Sequence, residues 1–443
     1  MRFNPTYGNI WRISYPLVIA GISETIVEIT DTAFLSRYHV TALAAVGLAD
    51  AIYTMALFAS LGLVDGVQIM VGRRVGERRP GEVGRVFNQG LYLLAIVSAV
   101  MVVAIKWSVP RLPVDMFGSA DVQAAADAYL QIAAYALFFH ACNLAFSAFY
   151  VGIARTRILI GATVTLAVTN IVLDYCLIFG NLGFPALGMR GAALASLSAE
   201  AAVFVFLVLD VVRKRYVTHY RLLRFGRWDG ALARRLTVIS APVSMETLIE
   251  TVRWLIFFVI VAQLGEQVLG AANIVFSCYA LLLIPLDGVS ETTCSMVSNL
   301  LGQRRPKVLG TFLSRAILLT YLAVVPLLVA AVAFPDQVLS IFTSEPQMIA
   351  TALGGLVAVA LIMLVAVPAE MFFSAVAGTG DTKAIMTIQL ILTLCALGYA
   401  YFAAIVRELP LGYIWLSEAV GWSVCLLLSW LWFRSGRWRR LTI

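Results

Sequence analysis

Charged and polar side chains inside apolar stretches are the residues of this sequence best suited to chemistry. Glu24, Glu28 and Asp31 stand at i, i+4 and i+7 of one apolar run, which places them on one face of a helix. Asn170 and Asp174 are also four residues apart, and no basic residue flanks them. A carboxylate in such surroundings must be protonated or share a metal ion or proton with other oxygens. Asp31, Asn170 and Asp174 therefore predict an oxygen-only site suited to Na⁺ or H⁺, and the alternative is that each is a buried residue hydrogen-bonded for packing.

A later apolar run, the seventh, carries a similar set of charges. Glu246, Glu250 and Arg253 again lie on one helical face. Another run contains Glu370 two residues after Pro368. A charge at the centre of a membrane helix costs about 2.5–3.5 kcal/mol, so each needs a partner, a proton or a water-filled cavity. These residues are candidates for a substrate cavity or a coupling site, and the alternative is that they are hydrogen-bonded packing residues.

The remaining polar residues of the apolar runs are interpreted as structural. His140 stands alone in its run, and a lone histidine is more often a packed residue than a proton relay. Asp50 and Asp65 are placed near helix ends, where loop arginines can pair with them. Further acids interpreted as solvated or scaffold residues are Glu200, Asp210 and Glu418. The six cysteines show no CxxC or Cys/His ligand spacing and are interpreted as packing residues.

The elements that position these residues follow from the composition. The chain has 443 residues, of which 61% are hydrophobic and 13% charged, and its mean hydropathy is +0.90. Soluble domains average about 45–50% apolar and about 25% charged residues. The apolar runs lack the alternation of membrane β-strands, and a spanning helix takes about 20 residues. The sequence predicts an all-α integral membrane protein with twelve transmembrane helices, and no enzyme.

Basic residues are concentrated in the tails and in alternate loops. Most of the 32 Lys and Arg residues, including Arg73, Arg155 and Arg213, fall on one side of the predicted topology. By the positive-inside rule, both termini are cytoplasmic in a multi-pass protein of the plasma membrane. The net charge of +7 is then a property of these loops and does not indicate nucleic-acid binding.

The sequence repeats itself at a constant shift of 226 residues, as between Pro16 and Pro242. The other matches between the first and seventh runs pair Ser14, Glu24 and Thr25 with Ser240, Glu250 and Thr251. The loop over residues 76–80 also matches residues 302–306. Six helices per half make the repeat parallel, which predicts a transporter with a substrate site between two lobes.

The predicted domains follow this repeat. Residues 1–212 form an N-lobe of six helices, residues 213–236 a basic cytoplasmic linker, and residues 237–443 a C-lobe with a short cytoplasmic tail. A proline removes a helical hydrogen bond and allows a bend. Pro16 and Pro242 are therefore candidate hinges.

Several motifs in order carry a resemblance to a known family. They are Asp31-Thr-Ala-Phe-Leu35, Asn170-Ile-Val-Leu-Asp174, Gly191-Ala-Ala-Leu-Ala-Ser196 and Gly378-Thr-Gly-Asp-Thr382. With the 226-residue repeat, they resemble the MATE family of multidrug and toxic compound extrusion transporters along essentially the whole chain. The resemblance implies a cation site in the N-lobe. Carried onto this chain, that site comprises Asp31, Asn170, Asp174 and Ser196, the last where threonine is usual.

The resemblance also bears on the C-lobe. Glu250 matches a glutamate typical of the NorM-like branch, eight residues after the helix-seven proline. That branch has an aspartate in the tenth helix whose counterpart here is Ala366, while Glu370 lies one turn further on. A cation site in the C-lobe therefore depends on whether Glu370 substitutes for the missing aspartate.

Together these features predict a secondary-active multidrug efflux antiporter. It exchanges H⁺ or Na⁺ for amphipathic organic cations by alternating access, works as a monomer in the lipid bilayer, and needs no cofactor besides the coupling ion. Candidates for the substrate cavity or C-lobe coupling are Glu24, Glu28, Glu250, Arg253 and Glu370. The alternative is a lipid or glycan flippase of the same superfamily, which needs a larger and more cationic cavity.

Overall fold

The computed structural model describes residues 4–38, 40–224, 226 and 228–440, and within them it contains helices and no strand. The predicted lobes therefore have a few terminal residues outside the described part. The helices of the first half are α1 (Tyr7–Tyr38), α2 (Val40–Gly76), α3 (Pro80–Ser108), α4 (Ala120–Ala133), α5 (Ala136–Gly152), α6 (Arg157–Phe179) and α7 (Met189–Arg213).

The second half follows a short helix, α8 (Tyr216–His219). Its helices are α9 (Gly230–Ala262), α10 (Glu266–Gly302), α11 (Leu309–Ala333), the six-residue α12 (Pro335–Ser340), α13 (Pro346–Thr379), α14 (Thr382–Tyr401) and α15 (Leu411–Arg434). A π-helical turn, Phe402–Val406, extends α14.

The described helices include ten that are each long and apolar enough to cross a membrane. The pair α4 and α5, bent by 47°, meets the same length and composition test when taken together, which brings the number of candidate spans to up to eleven. The remaining predicted run, the seventh, coincides with α9, which is 33 residues long and carries Glu246, Glu250 and Arg253 in its sequence. The chain is a multi-pass, all-helical membrane protein, as predicted.

The helices form two compact units, which we call the N-unit (residues 19–244) and the C-unit (residues 1–18 and 245–443). Each has its own apolar core. In the N-unit, Phe87 packs against Phe146 and Phe149. In the C-unit, Trp415 packs against Trp254 and Phe257.

The division between the units lies inside two helices, after Val18 of α1 and after Ser244 of α9. The two positions are 226 residues apart, and each lies two residues after a proline, Pro16 or Pro242. The first part of α1 is thus in the C-unit and the first part of α9 in the N-unit. The predicted lobes follow the repeat rather than this division.

Two glycines at equivalent positions of the repeat allow another helix to pack closely against α9 and α1 at these points. A Cβ on Gly62 of α2 would lie 2.2 Å from Ser244 Oγ and 2.5 Å from the Ser244 backbone nitrogen. A Cβ on Gly288 of α10 would lie 2.7 Å from Val18 Cγ2 and 2.9 Å from the Val18 backbone nitrogen. Both positions require the absence of a side chain, because the contacting helix backbone leaves no space for one. The repeat therefore preserves the same close helix contact in both units.

The linker after α7 lies against the N-unit. Asn88 Oδ1 accepts a 2.9 Å hydrogen bond from the Leu223 N–H, and Asn88 Nδ2 lies 3.2 Å from the carbonyl oxygens of both Arg221 and Arg224. These side-chain contacts satisfy backbone groups that a loop would otherwise leave to water. Residues 221–224 of the segment are thus held against α3.

The linker ends at Asp229, which precedes α9. Its carboxylate accepts hydrogen bonds from the Leu232 N–H at 3.1 Å and from Arg85 Nη2 at 2.8 Å. The backbone donor and then the guanidinium hold the pKa of Asp229 below its ordinary value. Asp229 thereby satisfies a free N–H of the first turn of α9.

We predict that Gly288→Ala destabilises the protein by about 1–3 kcal/mol, since the added methyl group displaces the backbone of α1. The control is Gly398→Ala in α14, where no heavy atom lies within 4 Å of the added Cβ. Alanine is the better helix former by about 1 kcal/mol, so the control is neutral or stabilising. Thermal unfolding in detergent micelles measures both, and equal effects of the two variants would contradict the packing argument.

Candidate functional site

The predicted N-lobe cation site brings together acids from two helices of the N-unit. Asp31 of α1 and Asp174 of α6 are close enough for their carboxylates to interact directly. Asn170 lies one turn before Asp174, and the two side chains are 2% and 1% exposed. No described donor reaches Asp31 Oδ1, Asn170 Oδ1 or either carboxylate oxygen of Asp174.

This arrangement fits a bound proton or a hard cation. Two carboxylates at close range cannot both remain ionised without a shared proton or a cation between them. Buried acceptor oxygens without a donor cost free energy, which a cation or proton would recover. Within the described residues, no group of three or more His, Cys, Asp or Glu side chains is placed to hold a metal ion. The donors for any ion here are therefore two carboxylates and one amide oxygen, which suit Na⁺ or H⁺.

Ser196, the fourth predicted member, lies at the edge of this group. Its hydroxyl donates to the Ala192 carbonyl oxygen of its own helix at 3.2 Å. It also interacts with Tyr129 of α4, and that phenol lies within electrostatic range of Asp31 and Asp174. Tyr129 is 9% exposed and was not identified from the sequence, where it is one aromatic residue among many. The Tyr129 phenol thus lies near both Ser196 and the two carboxylates.

Asp50 of α2 belongs with the same acids. It interacts electrostatically with Asp31 and Glu28, and no basic partner for it is present in the described part of the chain. The predicted pairing of Asp50 with loop arginines is thus not seen among the described residues. Glu24 and Glu28 are exposed on α1 and interact with each other, so the carboxylates form a row that leads along α1 to Asp31.

The C-unit contains a cavity of about 290 Å³ that gathers the other predicted residues. Its acidic lining residues are Glu246, Glu250, Asp287, Glu370 and Glu418. Arg253 is the single basic residue of the lining, and Phe373 and Trp422 contribute aromatic surface. The walls are thus strongly acidic with apolar faces between the carboxylates.

Arg253 is neutralised by a partner that the sequence did not reveal. Its guanidinium forms an ion pair with Glu418 of α15, and the two residues are 4% and 3% exposed. Glu250 lies 3.7 Å from the same guanidinium and keeps 46% of its side chain exposed. Arg253 also stacks over Trp254, with 4.7 Å to the ring centroid. Glu418 is therefore a buried ion-pair partner rather than a solvated acid, and Glu250 remains available in the cavity.

Glu370 of α13 supplies a further carboxylate to this cavity. The hydroxyls of Ser290 and Ser374 both donate to Glu370 Oε1, the latter at 2.9 Å. Ala366, one turn earlier, is fully buried in the apolar core. The carboxylate of this helix thus enters the cavity one turn later than the position of the family aspartate.

We predict that Glu418→Gln destabilises the protein by about 3–5 kcal/mol, because it leaves the buried Arg253 charge without its main partner. The double variant Arg253→Met with Glu418→Leu recovers much of that loss, since apolar side chains of similar size replace the pair. Glu266→Gln, at the exposed start of α10, is the control. Thermal unfolding of wild type, of these three variants and of the single variants Arg253→Met and Glu418→Leu measures the coupling. Additive effects of the two single substitutions would contradict the ion pair.

The helices, the repeat and the buried carboxylates define a membrane transporter. A model of the MatE family matches residues 16–176 and again residues 242–402. The two matched segments start and end 226 residues apart, which confirms the internal repeat. The chain belongs to the MatE family, and the resemblance noted in the sequence is confirmed.

Curated relatives match along nearly their whole length. A probable multidrug resistance protein NorM of Thermotoga maritima is 23% identical over 436 residues, which cover 98% of this chain and 93% of the relative. A probable multidrug resistance protein NorM of Rhizobium meliloti is 26% identical over 448 residues, covering 95% and 92%. These relatives support a family of multidrug efflux transporters.

Solved structures share the fold. An outward-facing multidrug resistance MATE family transporter of the MOP superfamily superposes with a TM-score of 0.89 at 22% identity, covering 99% of this chain and 98% of that one. A MOP superfamily transporter from Pyrococcus furiosus, described as having a binding pocket of reverse polarity, has a TM-score of 0.89 at 21% identity over 98% and 96%.

Proposed function

We propose that this chain is a secondary-active multidrug efflux antiporter that exchanges H⁺ or Na⁺ for amphipathic organic cations by alternating access. The observation that carries the proposal is the set of buried oxygens on Asp31, Asn170 and Asp174 that no described donor reaches. Binding of a cation or a proton would offset the free-energy cost of burying these oxygens without a donor.

The coupling follows from a competition for negative charge. When Asp31 and Asp174 are free of cation or proton, their negative charge favours binding of an organic cation. When H⁺ or Na⁺ occupies them, that attraction is lost. The ion drives release only if it binds the substrate-releasing state more tightly than the loaded one. We propose that Pro16, and Pro242 in the repeat, are the points at which α1 and α9 bend between these states.

The acidic cavity of the C-unit supports the same class of substrate. Its carboxylates attract positive charge, and the rings of Phe373 and Trp422 suit a cation or an apolar group. Its volume of about 290 Å³ is at the lower limit of drug-sized pockets, about 300–1,000 Å³. It therefore fits one cationic end of a larger molecule, or the coupling ion with its water.

The charge of this cavity favours an organic cation over the alternative of a lipid or glycan flippase. Flippase substrates with phosphate groups need basic side chains. Here Arg253 is the single base of the lining and is already paired with Glu418. We therefore place the substrate among cations.

The distribution of basic residues supports a location in the plasma membrane. Arg213, Lys214 and Arg215 are exposed where α7 ends. With the other loop arginines they favour a plasma-membrane protein with both termini in the cytoplasm. We propose that one chain in the bilayer is the working unit, with no cofactor besides the coupling ion.

The test is efflux of a fluorescent organic cation from proteoliposomes under an imposed pH gradient or an imposed Na⁺ gradient. We expect one of the gradients to drive efflux by wild type. Asp31→Asn and Asp174→Asn lower the gradient-driven rate about tenfold or more, because an amide takes up no proton at neutral pH and lacks the negative charge that attracts a cation. Asp121→Asn, at an exposed position in the first turn of α4, is the matched control and leaves the rate unchanged.

Two results would overturn the proposal. If neither gradient moves the dye, the chain is not an antiporter of this class. If gradient-driven efflux persists in Asp31→Asn and Asp174→Asn at the wild-type rate, coupling does not use the N-unit carboxylates.

A further inference from the structure

His140 of α5 and Glu200 of α7, interpreted from the sequence as a packed residue and a solvated or scaffold acid, form a pair in the N-unit. His140 Nδ1 lies 2.8 Å from Glu200 Oε1. Asn143 Nδ2 donates to Glu200 Oε2 at 2.7 Å and to the Glu200 carbonyl oxygen at 2.9 Å. Both carboxylate oxygens of Glu200 are therefore engaged, one by an imidazole and one by an amide.

The pair lies within the spanning helices but is not enclosed by the protein. The His140 and Glu200 side chains are 27% and 14% exposed. Asn143 is 8% exposed, and its Oδ1 has no described hydrogen-bond partner. Because its Nδ2 already donates to Glu200, Asn143 cannot turn to satisfy that oxygen without losing both bonds. The amide therefore fixes the carboxylate in place beside the imidazole.

A third helix brings another acid into range. Glu24 of α1 interacts electrostatically with both His140 and Glu200. The other charged or titratable groups nearby are Glu28 beside Glu24, and Tyr53 of α2 within range of Glu200. His140 is the single base facing these two carboxylates in the described part of the N-unit.

The charge of this group depends on one proton. With His140 as imidazolium and both carboxylates ionised, the three side chains carry a net charge of −1. With neutral imidazole the net charge is −2, and Glu24 faces Glu200 with no cation between them. Like charges at this range repel in a medium of low dielectric constant. Protonation therefore favours the approach of α1 to α5 and α7, and deprotonation opposes it.

We propose that His140, held by Glu200 and Asn143, is a proton-binding site of the N-unit separate from the Asp31 and Asp174 carboxylates. The imidazole keeps the Nδ1–H that donates to Glu200, and Nε2 takes up or releases the proton. No other bond forms or breaks. The role of this site in transport rests on the proposed antiport, whereas the proton binding itself does not.

The composition of the chain makes a direct test possible. The sequence contains three histidines, His39, His140 and His219. The double variant His39→Gln with His219→Gln leaves His140 as the single imidazole of the full-length protein. Isotope-labelled histidine in this background gives one NMR signal, which is titrated between about pH 5 and about pH 9 in lipid nanodiscs.

We expect the signal to titrate within that range in this background. Adding Glu200→Gln moves the midpoint to lower pH by about one to three pH units, because the neighbouring negative charge is removed. The matched control is Asp210→Asn. Asp210 also lies on α7 and accepts a 2.6 Å hydrogen bond from Tyr150 of α5, but it has no histidine partner. We expect Asp210→Asn to leave the midpoint of the His140 titration unchanged.

An imidazole that does not titrate, or that titrates at the same pH after Glu200→Gln, would overturn the proposal. The pH profile of dye efflux in His140→Gln adds a second readout. If wild type drives no efflux while His140 titrates as expected, the antiport fails and the proton site stands. If efflux is gradient-driven while His140 does not titrate, the antiport stands and the proton site fails.

Discussion

The constraint on which the structure depends is that an acid inside a membrane-spanning helix must find a proton, a cation or a base. The chain meets it in different ways in its two units. In the C-unit, Glu418 has the buried guanidinium of Arg253. In the N-unit, Asp31 and Asp174 interact with each other, and no described donor reaches Asp31 Oδ1 or either carboxylate oxygen of Asp174. A site that cannot be satisfied by the protein alone is one that an external ion can occupy and leave, which is what coupled transport requires.

The internal repeat preserves the helix packing but not the polar side chains of the N-unit. The contact of Gly62 with the first part of α9 recurs as the contact of Gly288 with the first part of α1, so both halves keep the same helix packing. The repeat equivalents of Asn170 and Asp174, however, are Ala396 and Ala400, which are buried. The second half thus carries no copy of these two polar side chains and has an acidic cavity with its own arginine. The two halves therefore share a scaffold and differ in the polar groups it carries.

Sequence patterns predicted the structural features that depend on residues close to one another along the chain. Hydropathy identified the spanning helices, the fixed shift identified the repeat, and i, i+4 spacing placed Asn170 and Asp174 on one face. The pairs of His140 with Glu200 and of Arg253 with Glu418 were missed because 60 and 165 residues separate their members. Such contacts depend on which helices pack together, and a single sequence does not contain that information.

The most direct test of the central claim is the binding linkage between ion and substrate. Binding of tetraphenylphosphonium to the purified protein is measured by calorimetry across a series of pH values and Na⁺ concentrations, in wild type and Asp174→Asn. The account predicts that the coupling ion weakens binding of tetraphenylphosphonium to wild type. Tetraphenylphosphonium then weakens binding of the coupling ion by the same factor. In Asp174→Asn, the affinity for tetraphenylphosphonium no longer depends on the coupling ion. An affinity in wild type that is independent of both pH and Na⁺ would contradict it.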